Sequence, residues 1–292
     1  MKQVAVLGAS SMLGKALCQQ LAVQGVAVIR VGRDADADVQ LDLADEDFVL
    51  PEEHIKAEIF FHCAASFGGE DEIGIAQNLK VNTNSALMVV RLAVKLGCSQ
   101  LIYAGTLSSD PDFDSAGYSS YGLSKALAEQ QYAWLLKRIG IIFCTLRFTG
   151  LYDTFGQCIR HQSWFGRAVT YAAKGAELHL PEASAKRNYL HVDDAAYMLL
   201  KAATRRVVGV FNALHPHTIT MLEFVSLAYQ IFQRGGRYQC DFTKTPFRDI
   251  HYPEGNRCWE SLEYVPQITL EKTFMHIKQH GLDDRFDSFS LS

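Results

Sequence analysis

The first fourteen residues constrain this chain more than any other stretch. The apolar run Val4-Ala5-Val6-Leu7 meets Gly8 directly, and Gly8-x-x-Ser11-x-x-Gly14 passes at once into Met12–Val23, whose apolar residues recur with helical spacing. Gly8 permits a tight turn, Ser11 stands where backbone can approach a bound group, and Gly14 lets the helix lie close against the strand. The N–H groups around Met12 and Leu13 open the helix without intrahelical acceptors, and the helix dipole favours an anion there. Glycine and serine are also common at ordinary strand-to-helix turns, so the motif takes its meaning from the rest of the chain.

Strands and helices alternate from this turn onward. Val26–Val31, Asp38–Leu41 and Glu58–Cys63 read as strands. Asn84–Leu96 reads as a helix with Leu87, Val90, Ala93 and Val94 on one face and Gly97 just past its end. Gln100–Ala104 is the next strand, Leu123–Arg138 a long helix, and Ile141–Leu146 a further strand. Such β-α order predicts an α/β fold, a doubly wound parallel sheet of Rossmann type. Beyond about residue 150 the rhythm loosens, although 160–174 and 221–234 look helical. The expected division is a nucleotide-binding domain over 1–150, to which 188–213 returns. A smaller substrate-covering region is expected over 151–187 and 214–292. Asp287 to Ser292 reads as a loose tail.

Bulk properties remove several function classes. A formal net charge of −4 over 292 residues gives no footprint for nucleic acid. No run of 18 apolar residues suggests a membrane span, and the first apolar run reads as a strand rather than a signal peptide. Seven cysteines with no CxxC pair point to reduced thiols, no metal site and a cytoplasmic setting.

"YGLSK" places Tyr121 and Lys125 four apart on one helical face. A phenol is a poor base at neutral pH, but an ammonium nearby favours its phenolate. The pair therefore suits proton exchange with an alcohol or ketone, coupled to hydride transfer. The preceding strand leads to Gly105 and Thr106, whose hydroxyl would hold the reacting oxygen. At the end of the second strand Gly32 occupies the slot where an acid usually reads a ribose, and Arg33 follows. That order favours NADP over NAD, unless Asp34 serves the ribose instead.

These features resemble the extended short-chain dehydrogenase/reductases, in the branch of NAD-dependent epimerases and dehydratases. Gly8, Ser11 and Gly14 match the glycine turn, with serine in the middle place. Asp42-Leu43 matches a dipeptide near the adenine, and "FFHCAA" the strand whose Ala64 and Ala65 line the cofactor. Asn82 matches an asparagine that organises the site, and Thr106, Tyr121 and Lys125 the catalytic set, Tyr121 and Lys125 also contacting cofactor. In "RNYLHVDDAA", Arg187 resembles a contact to a substrate diphosphate and His191-Val192-Asp193-Asp194 a structural turn.

There are departures as well. "LRFTGLYDTF" has Gly150 where the family often has a sugar-nucleotide asparagine, and Asp153 where it has glycine. Leu107-Ser108 replaces the Asp-Glu pair of sugar dehydratases, which disfavours dehydration. His161 reads either as a surface histidine or as a second acid for epimerisation, a task in which Ser108 would also assist.

The resemblance implies an NADP-preferring enzyme for a nucleotide-activated sugar or related carbonyl compound. Both an epimerase and a net reductase remain open. It also implies a homodimer through the helices at 84–96 and 123–138. The alternative is a non-catalytic NADP(H) sensor of the same fold.

Overall fold

The computed structural model describes residues 1–45, 48–50 and 55–287; the last five positions of the expected tail lie outside them. The chain forms two compact units. The first comprises Met1–Phe148, Ala195–Ala213 and Pro253–Tyr264; the second comprises Thr149–Asp194, Leu214–Tyr252 and the chain from Val265 on.

The first unit is built on seven strands: β1 (Gln3–Leu7), β2 (Ala27–Gly32), β3 (Val39–Gln40), β4 (Ile59–His62), β5 (Gln100–Thr106), β6 (Ile142–Phe148) and β7 (Gly209–Ala213). Their order is β7-β6-β5-β4-β1-β2-β3, and every neighbouring pair is parallel. Helices α1 (Met12–Val23), α2 (Glu72–Asn78), α3 (Ala86–Lys95), α4 (Ser120–Ile139), α5 (Val192–Thr204) and α6 (Asn256–Leu262) connect or flank them. This is a Rossmann-type α/β fold. The strand order reverses between β1 and β4, where a crevice opens at the strands' carboxyl ends. Val4 to Leu7 and Ile59 to His62 are buried throughout, as expected of central parallel strands.

Local chemistry sets where the helices begin and end. Ser11 caps α1 by accepting the Gly14 N–H, and Ser119 caps α4 by accepting that of Gly122. The cap starts α4 at Ser120, three residues before the expected Leu123, so Tyr121 lies in its first turn. Gly122 admits this start because a Cβ there would lie 2.2 Å from the Ser108 carbonyl oxygen. Gly140 closes α4 at φ +73°.

The face expected for α3 holds at Val90 and Ala93 and needs correction at Leu87 and Val94. Ala86, Val89, Val90, Leu92 and Ala93 are buried, whereas Leu87 is 56% and Val94 52% exposed. Leu87 and Val94, seven apart, share a stripe just outside the core-facing sector. A six-residue π-helical stretch, Leu79–Asn84, precedes α3 and carries Asn82.

The second unit packs helices Ser163–Lys174, Met221–Phe232 and Leu270–Gln279 around aromatic rings. Phe165 lies 5.5 Å from both Phe224 and Phe274, and Phe286 closes the cluster at 5.9 Å. Its strands form three short pairs: Gly150–Tyr152 with Tyr189–His191, Leu178–Leu180 with Tyr238–Cys240, and Lys186–Arg187 with Ile219–Thr220. The helix expected over 160–174 breaks into a 3-10 turn, Gln157–Arg160, and Ser163–Lys174.

Candidate active site

The glycine turn is closed by contacts that exclude side chains. Gly8 adopts φ +78°, and a Cβ on it would lie 2.7 Å from the Ala64 nitrogen. A Cβ on Gly14 would sit 2.0 Å from the Gly8 oxygen. Ser11 Oγ accepts the Gly14 N–H at 3.0 Å and donates to the Cys63 carbonyl at 3.4 Å, tying the turn to the end of β4. Met12 and Leu13 open α1, and half-buried Ala64 and Ala65 follow β4. The result is a tightly apposed backbone turn at the switch point, leading into the first N–H groups of α1.

On the other side of β1, β2 ends at Gly32, where a Cβ would meet nothing within 4 Å. Arg33 is exposed beyond it. Asp42 is exposed and its Oδ1 accepts the Ala44 N–H at 2.9 Å, while Leu43 is buried.

Thr106 is the last residue of β5, and its Oγ1 accepts the Ser108 N–H at 3.2 Å. Burial pushes the Tyr121 phenol up from its ordinary value, and the Thr106 hydroxyl opposes the shift. The direction is opposite to the one expected from the Tyr121/Lys125 spacing, because desolvation outweighs the favourable interactions. Lys125 is 2% exposed and donates to the Ala104 carbonyl at 2.8 Å. Its ammonium is driven down to about 7 by burial, against the opposing charges of Cys63 and Glu129.

Asn82 is singled out from the sequence; Asn78, Glu70, Phe67 and Glu129, which support the same region, are not. Asn82, 4% exposed, accepts the Ser66 N–H at 2.7 Å and donates to the Ser66 carbonyl and to Ser124 Oγ, both at 3.0 Å. Asn78, one turn earlier, does the same for Gly68 and Ser120. Glu70 accepts the Ser120 hydroxyl at 2.9 Å and its N–H at 3.1 Å. These bonds pin loop 66–70 to the start of α4, where Phe67 stacks on Tyr121 at 4.6 Å. Glu129, buried one turn beyond Lys125, forms a bidentate pair with Arg147 of β6 at 2.7 and 3.0 Å. The four-residue spacings of Asn78/Asn82 and Lys125/Glu129 were the legible hints.

The second unit holds Arg187 and His161. The Arg187 guanidinium donates to the Lys186 and Arg248 carbonyls at 2.6 and 3.0 Å and lies 5.7 Å from the Phe247 ring. Phe247 in turn meets Trp164 edge-on at 4.9 Å, with Arg167 at 5.3 Å from the indole. His161 is exposed after the 3-10 turn, and partial desolvation followed by Arg160 lowers its imidazole.

Neighbouring polar groups in this unit tie backbone. Asp153 accepts the N–H groups of Phe155, Gln157 and Cys158 at 2.8–3.1 Å. His191 bonds Thr154 at 3.0 Å and accepts the Asp193 N–H at 3.2 Å; Asp194 accepts those of Gln267 and Ile268. At Gly150 a Cβ would lie 3.0 Å from the Gln162 amide nitrogen. Among the described residues no cluster could hold a metal ion. A groove of about 670 Å³, lined by Tyr189, His215, Leu222, Tyr238 and Leu270 among others, contains none of the residues singled out from sequence.

A parallel sheet of this order, with a glycine-bounded turn at its switch point, belongs to the dinucleotide-binding class of α/β folds. Within that class, the model of the NAD dependent epimerase/dehydratase family matches residues 4–213, and the chain belongs to this family.

Solved structures with the same fold include UDP-N-acetylglucosamine 4-epimerase from Bacillus cereus. It is 19% identical with a TM-score of 0.77, covering 96% of each chain. RMD from Pseudomonas aeruginosa, complexed with NADPH, is 17% identical with a TM-score of 0.82, over 98% of this chain and all of that one. UDP-glucose 4-epimerase from Thermotoga maritima, with UDP-glucose, is 19% identical with a TM-score of 0.73, over 96% and 98%. No curated protein sequence matches the chain.

Proposed function

We propose that the protein is an NADP-preferring enzyme that interconverts an alcohol and a ketone on a nucleotide-activated sugar or a related carbonyl compound. The observation that carries this reading is the Lys125 ammonium, buried against β5 on the Ala104 carbonyl, on the helix whose first turn carries Tyr121, with Thr106 ending that same strand. A buried lysine costs stability, so its retention beside a phenol argues for chemistry rather than packing.

The chain fits a dinucleotide. Gly8, Ser11, Met12, Leu13 and Gly14 would hold its pyrophosphate, Ala64, Ala65 and Asn82 would line it, and Asp42 and Leu43 would flank the adenine. Gly32 leaves open space for a 2′-phosphate and exposed Arg33 would pair with it. When bound, the nicotinamide supplies or accepts the hydride. Thr106 would hold the substrate oxygen by hydrogen bond, and Tyr121 would give or take the proton on that same oxygen. Lys125 would stabilise the phenolate that remains and bond the cofactor ribose.

Arg187 offers a cation beside the Phe247 ring, which suits a nucleoside diphosphate. The solved structures with UDP-glucose and with NADPH support a nucleotide-linked substrate and a nicotinamide cofactor. His161 enters as a second acid on the resemblance alone. Leu87 and Val94 of α3 and Leu123 and Trp134 of α4 are exposed by 42–61%, apolar surface that a second copy of the chain would cover in a homodimer.

One incubation series tests the proposal: purified protein, NADP(H) or NAD(H), and a panel of nucleotide sugars with their 4-keto forms. Nicotinamide absorbance and product mass are followed together. A product two hydrogens heavier with loss of reduced cofactor establishes a reductase; an isomer without net cofactor change establishes an epimerase. Cofactor binding without turnover on any panel member would sink the nucleotide-sugar reading, leaving a substrate outside that class or a sensor.

A further inference from the structure

No lysine or arginine other than Lys125 is buried among the described residues. Its ammonium has three N–H donors to place. One goes to the Ala104 carbonyl at 2.8 Å. The nitrogen also lies 4.0 Å from the centre of the Tyr103 ring, well inside the range of cation–π attraction. Tyr103 and Ala104 are consecutive residues of β5, so one strand supplies both partners.

The ring itself is fixed. Tyr103 is 1% exposed, His62 meets it at 5.0 Å and 65°, and Tyr132 at 5.1 Å and 58°. Burial, and then the charge of Lys125, drives the His62 imidazole well below its ordinary value. His62 therefore stays neutral and no second cation competes for the ring face.

We propose that Tyr103 is the positioning residue for Lys125: its ring face and the Ala104 carbonyl together seat the ammonium and leave one N–H donor for a bound ligand. The functional meaning of that seat rests on the reading of Lys125 as partner to Tyr121. The seat itself is a property of the protein alone. The titratable and charged groups around Lys125 are His62 and Cys63 from β4 and its end, Tyr103 from β5, and Tyr121 and Glu129 from α4. Arg147 of β6 is paired to Glu129. Tyr103 is the one whose aromatic face meets the ammonium.

The test changes the ring's electrostatics and keeps its shape. Tyr103 is replaced by phenylalanine, then by phenylalanines carrying one, two and three ring fluorines. Each fluorine withdraws negative potential from the ring face. Lys125 is titrated in the cofactor-free protein by NMR of lysine labelled with carbon-13 at Cε, its resonance assigned with Lys125→Arg.

Tyr103→Phe is expected to leave the midpoint where the wild type has it. The fluorinated series lowers it stepwise, by about one pH unit overall. The pH above which cofactor affinity weakens moves down with it. A midpoint unchanged along the series overturns the proposal. Because the titration needs neither cofactor nor substrate, that result leaves the proposed reaction standing. An active Tyr121→Phe variant would instead overturn the reaction and leave the titration series standing.

Discussion

In the first unit, Lys125 is buried against the Ala104 carbonyl of β5, the strand that ends at Thr106, and Asn82 fixes the loop that carries Phe67 onto Tyr121. In the second unit, Asp153, Asn188, His191 and Asp194 are equally buried, yet they commit their polar atoms to local ties. Asp153 takes three N–H groups, and Asn188 bonds the backbone of His215 and His217. The difference separates two uses of costly burial. A carboxylate saturated by backbone N–H groups has little left to offer a ligand. A lysine with one carbonyl and one ring face keeps a donor in reserve.

The largest effect should come where burial serves chemistry. Tyr121→Phe removes the proton donor and acceptor but keeps the ring that stacks on Phe67. Turnover should fall by about 10²–10⁴-fold, with cofactor affinity changed less than threefold. Equilibrium cofactor binding beside steady-state rates checks this. A variant with wild-type turnover would erase the contrast between the units.

Lys125→Met probes the same contrast through stability. The wild-type ammonium falls from 10.5 to about 7 on folding. Because the unfolded chain holds the proton more tightly, the wild type loses stability as pH falls from about 10.5 to about 7. Below that range the full cost persists. The shift corresponds to at most roughly 4–5 kcal/mol. Lys125→Met should therefore be more stable than wild type at pH 6–7, and the gain should shrink toward pH 10. Urea unfolding across that range measures it; a gain that grows with pH would refute the buried-cation account.

The second unit should respond the other way, in stability and not in rate. Asp153→Ala leaves three N–H groups without their acceptor and should cost about 2–4 kcal/mol of stability. Turnover per folded molecule should stay within twofold. If activity falls as far as for Tyr121→Phe at temperatures where the fold is intact, Asp153 belongs to the reacting groups.

How far the sequence was legible divides along the same line. The parallel sheet could be read because strands buried on both faces are nearly continuous apolar runs, as in Val4 to Leu7 and Phe60-Phe61. Helices Asn256–Leu262 and Leu270–Gln279 could not, since short segments of mixed polarity take their shape from packing. Thr106, Tyr121 and Lys125 stood out through spacing and position. Tyr103, Glu70 and Phe67 did not, because each acts across an aromatic face or a loop contact that only the folded chain creates. The half-missed face of α3 has a similar origin: Val90 and Ala93 are core as expected, but the buried sector continues toward Val89 and Leu92 and leaves Leu87 and Val94 outside.

Arg187 carries the smallest prediction and sharpens the comparison most. Its guanidinium donates to two backbone carbonyls, which leaves part of its five-donor fork for a phosphate. A partly solvated charged contact is worth about 1–2 kcal/mol, so Arg187→Ala should raise KM for a nucleotide-linked substrate about tenfold and leave kcat nearly unchanged. A truncated substrate lacking the diphosphate should be processed equally by both forms. Should kcat fall instead, or the truncated substrate suffer the same loss, Arg187 would act on the reacting end. The division between a unit that does chemistry and a unit that recognises would then fail at this residue.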